Sequence, residues 1–212
     1  PLQPRSLDAS EELKTKPTQH SVMKMREIGL EPDMILCRSD RAIPVSVKKK
    51  ISLFCSVPQS NVVEARDVDT IYEVPLRLYK QGVGQIIAEQ LQLDGKSADI
   101  SKLELFIERF KNPTHELTIG LCGKYTELPD AYKSVIEAFI HSGVENDARV
   151  HIRWINTELL NSDEESEEHL GELHGILVLP GFGDPGTEGK VYCAKYAREN
   201  DVPYLGICLG LQ

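Results

Sequence analysis

A cysteine between two glycines, directly after a short apolar segment, constrains the fold of this chain more than any other feature. Residues 202–205 read Val-Pro-Tyr-Leu, and residues 206–210 continue Gly-Ile-Cys-Leu-Gly, with the thiol at Cys208. Small residues on both sides of a nucleophile are typical of a nucleophile elbow, the strained turn that joins a strand to a helix. The pattern therefore predicts a sheet of alternating strands and helices, with one strand ending at the thiol.

A second glycine turn follows another apolar segment earlier in the chain. Residues 175–179 are Gly-Ile-Leu-Val-Leu, and residues 180–183 are Pro-Gly-Phe-Gly. Such a turn after a parallel strand can aim backbone N–H groups at an oxyanion, so the two turns together indicate acyl transfer through a thiol. Packing of Cys208 as a small apolar side chain remains the alternative. The helix that activates an elbow cysteine would follow the last residue, so we expect Cys208 not to be activated in this chain.

The composition favours a globular chain that does not bind nucleic acid. Its 212 residues are 41% hydrophobic, enough to bury a core, and the formal net charge of −9 opposes contact with a phosphate backbone. No apolar stretch reaches the roughly 20 residues of a membrane span, and residues 1–5 lack the apolar core of a signal peptide, so we expect a cytoplasmic protein. The five cysteines lie far apart, which favours reduced thiols over disulfides or a zinc site.

Strands and helices alternate along the chain in two successive patterns. Apolar runs predict strands at 33–37, 61–65, 117–122, 150–155, 175–179 and 202–205, and helical periodicity predicts helices at 20–29, 45–55, 75–92, 130–142 and 187–199. Such alternation predicts parallel sheets with crossover helices, and therefore an α/β chain of two parallel-sheet units. The acidic run at 163–168 indicates a solvated loop or a helix start, and the basic run at 48–50 a solvated helix face.

A polar segment with phosphate-binding chemistry lies near the N-terminus. Residues 14–21 place two lysines, hydroxyl side chains and an amide around a proline, just before a predicted helix. Ammonium groups neutralise phosphate charge, and free N–H groups at a helix start favour an anion. The segment is not a Walker A loop, because that pattern occurs nowhere in the chain. An exposed polar connector remains the alternative.

Several motifs occur in the same order and at similar spacing as in CTP synthases. They are the segments 14–21 (Lys-Thr-Lys-Pro-Thr-Gln-His-Ser), 37–41 (Cys-Arg-Ser-Asp-Arg), 67–72 (Asp-Val-Asp-Thr-Ile-Tyr), 123–125 (Gly-Lys-Tyr), 128–135 (Leu-Pro-Asp-Ala-Tyr-Lys-Ser-Val) and 206–210. From about residue 13 to its end, the chain therefore resembles the CTP synthase family.

The resemblance implies a two-module enzyme that makes CTP from UTP, ATP and glutamine. An amidoligase of P-loop type uses ATP and Mg²⁺ to phosphorylate UTP, and a class I glutamine amidotransferase of flavodoxin-like fold supplies ammonia. By the same resemblance, GTP is an allosteric activator, CTP a feedback inhibitor, and the complete protein a homotetramer. Residues 1–92 would end the amidoligase, 93–115 would be the linker, and 116–212 would begin the amidotransferase.

The resemblance also implies roles for single residues. Cys208 would accept the glutamyl group. The residues that would contact glutamine are Gly181, Leu209, Gly210, Leu211 and Gln212; those for UTP or CTP are Lys14, Thr15, Lys16, Pro17, Thr18, Gln19 and Lys50; those for ATP are Arg66, Asp67 and Val68. No residue is assigned to a metal, and the family's P-loop, Mg²⁺ ligands and triad histidine and glutamate are not among these 212 residues. We therefore expect this chain alone to be inactive.

Two residues depart from the family's oxyanion turn. Pro180 stands where a glycine is common, and Pro185 where an arginine often occurs. Proline has no N–H and a fixed φ, which puts a peptide flip at the turn in question, although Gly181 can still donate. Two alternatives to a CTP synthase remain open. One is another class I amidotransferase fused to a different synthetase, which segments 14–21 and 67–72 oppose; the other is a non-catalytic nucleotide-binding fragment, which the missing triad favours.

Overall fold

A computed structural model of the chain describes residues 13–94, 98–123, 129–181 and 186–212, with the backbone alone at 129 and 130. The chain divides into two compact units between Ile107 and Glu108. In the described ranges, the first unit contains a two-stranded sheet and the second a four-stranded sheet. The strand pairings in both sheets are parallel, which confirms the predicted class of two parallel α/β units.

The first unit alternates helices with two strands. Its elements are α1 (Lys16–Glu27), β1 (Ile35–Ser39), α2 (Val45–Cys55), β2 (Val62–Arg66), α3 (Glu73–Lys80) and α4 (Val83–Gln90). Ile35 lies opposite Val62 and Ser39 opposite Arg66, so the two strands end at the same edge. The elements enclose a core of Leu13, Val22, Ile35, Cys37, Ile43, Ile51, Cys55, Val57 and Val62.

The structure refines the predicted secondary structure of three stretches in this part of the chain. α1 begins at Lys16 instead of residue 20, because Pro17 lies in the first turn, where its missing N–H and fixed φ are tolerated. The helices predicted at 75–92 are α3 and α4, and Gly82 separates them with a φ of +72°. The less apolar stretch 93–115 contains a further helix, α5 (Ser101–Lys111).

The second unit is a parallel sheet in the strand order β4-β3-β5-β6. Its elements are β3 (His115–Gly123), α6 (Lys133–Glu145), β4 (Ala148–Asn156), α7 (Asp163–Leu170), β5 (Gly175–Val178), α8 (Thr187–Glu199) and β6 (Tyr204–Gly206). Ile119 of β3 lies opposite both Ile152 of β4 and Gly175 of β5, so β3 is central. The acidic run at 163–168 begins α7, which confirms the helix-start interpretation.

The central strands face a separate core on each side of the sheet. One core consists of Cys122, Ile155, Leu160, Leu170, Leu173, Ile176, Val178, Cys193 and Ala197, and the other of Leu121, Tyr132, Leu177 and Leu179. α7 and α8 contribute to the first core, and Phe139 of α6 packs against the second. Because the sheet is covered on both faces, all four residues of β5 are buried and read as one apolar run.

In the described ranges, no helix combines the length and apolarity needed to cross a membrane.

Candidate functional sites

The predicted elbow forms a sharp turn after β6. Cys208 has a φ of +56°, in the left-handed region that non-glycine residues seldom adopt, and its side chain is exposed. The other described non-glycine residues with positive φ are Ser56, Gln92, Asp147, Glu172 and Asp201. Each of these lies within two residues after a helix, where a left-handed residue is common. Cys208 follows a strand instead, so helix termination does not explain its strained backbone.

Two glycines make this turn possible. A methyl group on Gly206 would overlap the backbone of Gly210, and a methyl group on Gly210 would lie 2.5 Å from the carbonyl oxygen of Val178. Real Cβ atoms do not approach other atoms so closely, so the two positions require glycine for space. The glycine spacing that identified the elbow therefore has a steric cause, which is the close packing of the turn on itself and on β5.

Hydrogen bonds hold the elbow against the neighbouring strand. The N–H of Ile207 donates to the carbonyl of Val178 at 3.0 Å, and the N–H of Leu211 donates to the carbonyl of Cys208 at 3.0 Å. The hydroxyl of Tyr204 donates to the carbonyl of Gly210 at 2.5 Å. Burial raises the pKa of Tyr204, so this hydroxyl keeps its proton for the bond. The backbone that presents the thiol is thus held on both sides of Cys208.

The second glycine turn lies at the carboxyl end of β5, beside a lysine of α8. The ammonium of Lys190 donates to the carbonyl of Leu179 at 3.2 Å, and a methyl group on Gly181 would lie 3.5 Å from the same nitrogen. Pro180 and Gly181 are half-buried. The rest of the turn and Pro185 fall in 182–185, outside the described residues. The effect of Pro180 on the turn therefore stays a prediction.

The predicted glutamine-binding residues lie after the two neighbouring strands β5 and β6. Gly181 follows β5, and Leu209 and Gly210 belong to the elbow after β6. Leu211 and Gln212 come next and are exposed. Open parallel sheets bind ligands at the carboxyl ends of their strands, which is where these residues lie. Their roles in binding glutamine stay predictions.

The predicted triphosphate segment is the start of α1 rather than a connector before it. Thr15 and Thr18 are buried, with 4% and 0% exposure, and the hydroxyl of Thr15 accepts a hydrogen bond from the amide of Gln19 at 3.0 Å. Lys16 is exposed in the first turn. The threonines therefore face inward, and the lysines of the segment are better placed to meet a phosphate.

Lys50 lies on the exposed side of α2, next to the fully buried Ile51. α1 and α2 enter the same core through Val22 and Ile51. The lysines predicted to bind UTP or CTP thus lie on neighbouring helices of one unit, with Lys14 half-buried just before α1. Their roles stay predictions.

The three predicted ATP-binding residues line one cleft of the first unit. The cleft has a volume of about 690 Å³ and lies along the C-terminal parts of β1 and β2 and the segment that follows β2. Its lining consists of Arg66, Asp67 and Val68 together with Leu36, Arg38, Glu64, Ala65, Asp69, Ile71, Val74, Arg77 and Leu78. The structure thereby brings the predicted residues together with further arginines and with apolar side chains.

An ion pair and an apolar wall shape this cleft. The Nε of Arg38 donates to Oδ1 of Asp67 at 2.8 Å, and the N–H of Asp67 donates to the carbonyl of Ser39 at 2.9 Å. Both charged side chains are half exposed, so solvent screens the pair and it orients Asp67 more than it stabilises the fold. Ile71 and Val74 are exposed and line the cleft, which therefore offers an apolar surface beside charged groups.

Sequence reasoning missed four residues that the structure places at the two sites. Arg38, Ile71 and Arg77 line the cleft; Arg38 and Ile71 lie in the segments 37–41 and 67–72 that carry the family resemblance, whereas Arg77 had no sequence signal. Lys190 lies beside the second glycine turn, and its signal was the helical spacing that it shares with the buried Cys193 and Ala197.

Cys208 differs from the other cysteines in its exposure to solvent. All five are free, as their spacing predicted, and the other four are buried. Burial raises the pKa of Cys37 to about 11, and a hydrogen bond with Cys193, reinforced by burial, raises the pKa of Cys122 well above its usual value.

Among the described residues, no group of three or more His, Cys, Asp or Glu side chains is placed to hold a metal ion.

Both units of the chain are similar to parts of known CTP synthases. The family model of the CTP synthase N-terminus matches residues 4–93, and the model of class I glutamine amidotransferases matches residues 127–212. A CTP synthase of Methanocaldococcus jannaschii is 51% identical over 210 residues, which are 96% of this chain and 39% of that protein. A CTP synthase of Carboxydothermus hydrogenoformans is 50% identical over 98% of this chain and 38% of its own length. The chain thus spans less than two fifths of these relatives.

A solved structure shows a more distant likeness. The glutaminase domain of Trypanosoma brucei CTPS with bound acivicin is 37% identical and covers 45% of this chain and 38% of that chain. Its TM-score is 0.42, so the family relationship rests on the sequence relatives and the fold on the strand pairing described above.

Proposed function

Because the chain belongs to the CTP synthase family, we propose that it takes part in the ATP-dependent amination of UTP to CTP, with glutamine as the nitrogen donor. The order of the two family models along the chain supports both halves of this reaction. Since the chain spans 38–39% of the length of its relatives, the whole reaction is assigned to a protein with the relatives' full set of segments.

Within this proposal, residues 1–92 end the amidoligase, 93–115 link the modules and 116–212 begin the amidotransferase. Mg²⁺ accompanies ATP, GTP is an allosteric activator, and the complete enzyme is a cytoplasmic homotetramer. These components rest on the family alone.

The observation that supports the glutaminase half is the strained, exposed Cys208. A positive φ after a strand points the thiol away from the sheet, and two glycines that no other residue could replace create the space. A cysteine that served only as packing would be buried, as the other four are. Cys208 is therefore the proposed nucleophile.

In the proposed reaction, the Cys208 thiolate attacks the carboxamide carbon of glutamine. A C–S bond forms while the carbonyl electron pair moves to oxygen, and the N–H of Gly181 is the proposed donor to this oxyanion. The C–N bond then breaks, the nitrogen takes up a proton and leaves as ammonia, and a γ-glutamyl thioester remains. Water hydrolyses the thioester to glutamate and restores the thiol. Ammonia displaces phosphate from the phosphorylated O4 of UTP.

Cys208→Ala tests this assignment in the full-length enzyme. Glutamine-dependent synthesis of CTP should be abolished, whereas synthesis from added ammonia should persist, because ammonia bypasses the thioester. Both activities are measured by the conversion of UTP, and Cys193→Ala serves as the control for loss of a thiol in the same unit. Equal loss of both activities in Cys208→Ala would show that the residue supports the fold rather than glutamine hydrolysis.

The first unit is the proposed nucleotide-binding part. Lys14, Thr15, Lys16, Pro17, Thr18, Gln19 and Lys50 are assigned to the triphosphate of UTP or CTP, and Arg66, Asp67 and Val68 to the adenine end of ATP. The exposed Lys16 and the cleft that contains all three ATP residues support these assignments. A cleft with an apolar wall and a fixed carboxylate suits a flat, hydrogen-bonding base.

Lys16→Ala tests the triphosphate assignment. We expect its affinity for UTP to fall about fivefold to tenfold, because one charge-assisted contact with phosphate is lost, while binding of UMP changes little. Calorimetric titration of both nucleotides measures this difference. Lys24→Ala is the matched control, since Lys24 lies on the same helix and is exposed. If both variants lost the same affinity for UTP, the effect would come from the net charge and not from a contact of Lys16.

A further inference from the structure

α8 presents a lysine to the interior of the second unit. Lys190 is 8% exposed and shares the buried face of the helix with Cys193 and Ala197. Lysine side chains are seldom buried to this extent, because an ammonium loses its hydration there. Burial accordingly lowers the pKa of Lys190.

The hydrogen bond of Lys190 does not account for its burial. Within the described ranges, the ammonium donates one hydrogen bond, to the carbonyl of Leu179 at 3.2 Å, which satisfies one of its three N–H groups. A single hydrogen bond recovers less free energy than removing a charge from water costs. An apolar side chain of similar length would fill the same space without that cost. Stability alone therefore does not explain a cation at this position.

The ammonium and the elbow bind adjacent residues at the end of β5. The elbow is attached to β5 through the bond from the N–H of Ile207 to Val178, and Lys190 binds the carbonyl of the next residue, Leu179. Gly181 of the oxyanion turn is also within contact distance of the ammonium nitrogen. The ammonium is thus held at the end of β5, beside Gly181 and on the residue that follows the elbow's own attachment point.

Two thiols act on this charge. Burial lowers the pKa of Lys190, and negative charge at Cys208 and, to a smaller extent, at Cys193 partly offsets this lowering. Cys193 is fully buried, whereas Cys208 is exposed and can release its proton to solvent. Because such interactions are reciprocal, the ammonium that is stabilised by the thiolate must also stabilise the thiolate.

We propose that Lys190 is a positioning residue for the nucleophile, whose buried ammonium favours the thiolate of Cys208 over the thiol. The thiol proton passes to water, and the lysine keeps its own protons throughout. The inference rests on the proposed role of Cys208 and deepens it, since it names the charge that prepares the thiol. It requires no contact with glutamine.

Alkylation of Cys208 in the 212-residue chain tests this inference without turnover. Cys208 is exposed and the other four cysteines are buried. The rate at which iodoacetamide alkylates the native chain therefore measures the fraction of Cys208 that is thiolate. In Lys190→Met, the rate at pH 7.5 should fall about threefold or more, and the rise of the rate should move to higher pH, because a nearby unit charge shifts a titration by about half a pH unit or more. Lys190→Arg should retain most of the wild-type rate.

Lys195→Met is the matched control. Lys195 lies on α8, is exposed and pairs with Asp163 at 2.6 Å, so its loss changes the net charge equally without removing the buried cation. Its alkylation profile should follow the wild type. A profile of folded Lys190→Met that coincides with the wild type would overturn the inference, as would an equal shift in Lys195→Met.

A reciprocal measurement on the wild-type lysine remains decisive if Lys190→Met does not fold. NMR titration of the Lys190 ammonium should show a lower pKa in Cys208→Ala than in the wild type, since the thiolate no longer supports the charge. Equal titration in both proteins would reject the coupling. Alkylation and NMR titration do not depend on glutamine-dependent synthesis. The inference about Lys190 and the proposed function can therefore be rejected independently.

Discussion

Backbone space around single residues determines the geometry of the elbow. Cys208 accepts a left-handed conformation because Gly206 and Gly210 leave no Cβ where the turn meets itself and β5. The sequence predicted both the flanking glycines and the thiol of the elbow. The positive φ of Cys208 was implied by the motif, whereas the buried charge of Lys190 depends on how α8 docks and needs the folded structure.

Gly206→Ala should destabilise the second unit by more than about 2 kcal/mol, because the added methyl group overlaps the backbone of Gly210. Urea unfolding followed by the fluorescence of Trp154, which lies in β4 and is the single tryptophan of the chain, measures this change. Gly84→Ala is the control, since its methyl group meets open space in α4 and the Trp154 transition should not move. A Gly206→Ala midpoint at the wild-type value would contradict the steric account.

Helix bounds show which elements local sequence signals determine. The bounds of α2 and α8 were predicted correctly, because Pro44 and Gly186 mark their starts. α1 was predicted to begin too late, since Pro17 was interpreted as part of a connector although a first-turn proline is compatible with a helix. The parallel pairing followed from alternation. The cleft could not be predicted in this way. Its residues Val74 and Arg77 belong to α3 and reach the cleft only because α3 packs beside β2.

In the part of the chain that the structure describes, a side chain rather than a strand pairs with the outer edge of β2. The amide of Gln81 donates to the carbonyl of Glu64 at 2.7 Å and accepts from the N–H of Glu64 at 3.0 Å. Gln81→Ala should therefore cost about 1–2 kcal/mol and speed hydrogen exchange at the Glu64 amide. Gln85→Ala removes an exposed bond to Glu89 and should stay within about 0.5 kcal/mol. Unchanged protection of Glu64 in Gln81→Ala would count against the edge role.

At the scale of the whole molecule, each unit has its own core and its own pair of buried thiols. Cys37 and Cys55 belong to the core of the first unit, and Cys122 and Cys193 to the second. Buried thiols react only when their surroundings open, so the two pairs report the local stability of the two units separately.

Ile51→Ala should increase the labelling of Cys37 and Cys55, because deleting a fully buried side chain costs about 2–5 kcal/mol in the first unit. Cys122 and Cys193 should keep their wild-type rates. Leu170→Ala, equally buried in the second unit, should give the opposite pattern. Mass spectrometry of pulse-labelled chains measures all four sites at once. Acceleration of both pairs by either substitution would show that the units unfold together.

The strand order of the second sheet has a consequence for synthesis on the ribosome. β3, the central strand, is made first, and β4 then adds to one edge while β5 and later β6 add to the other. Each new strand meets a growing edge, and none has to insert between strands that are already paired. The described strands can thus assemble outward in the order of translation, and the elbow is added onto a β5 that is already in place.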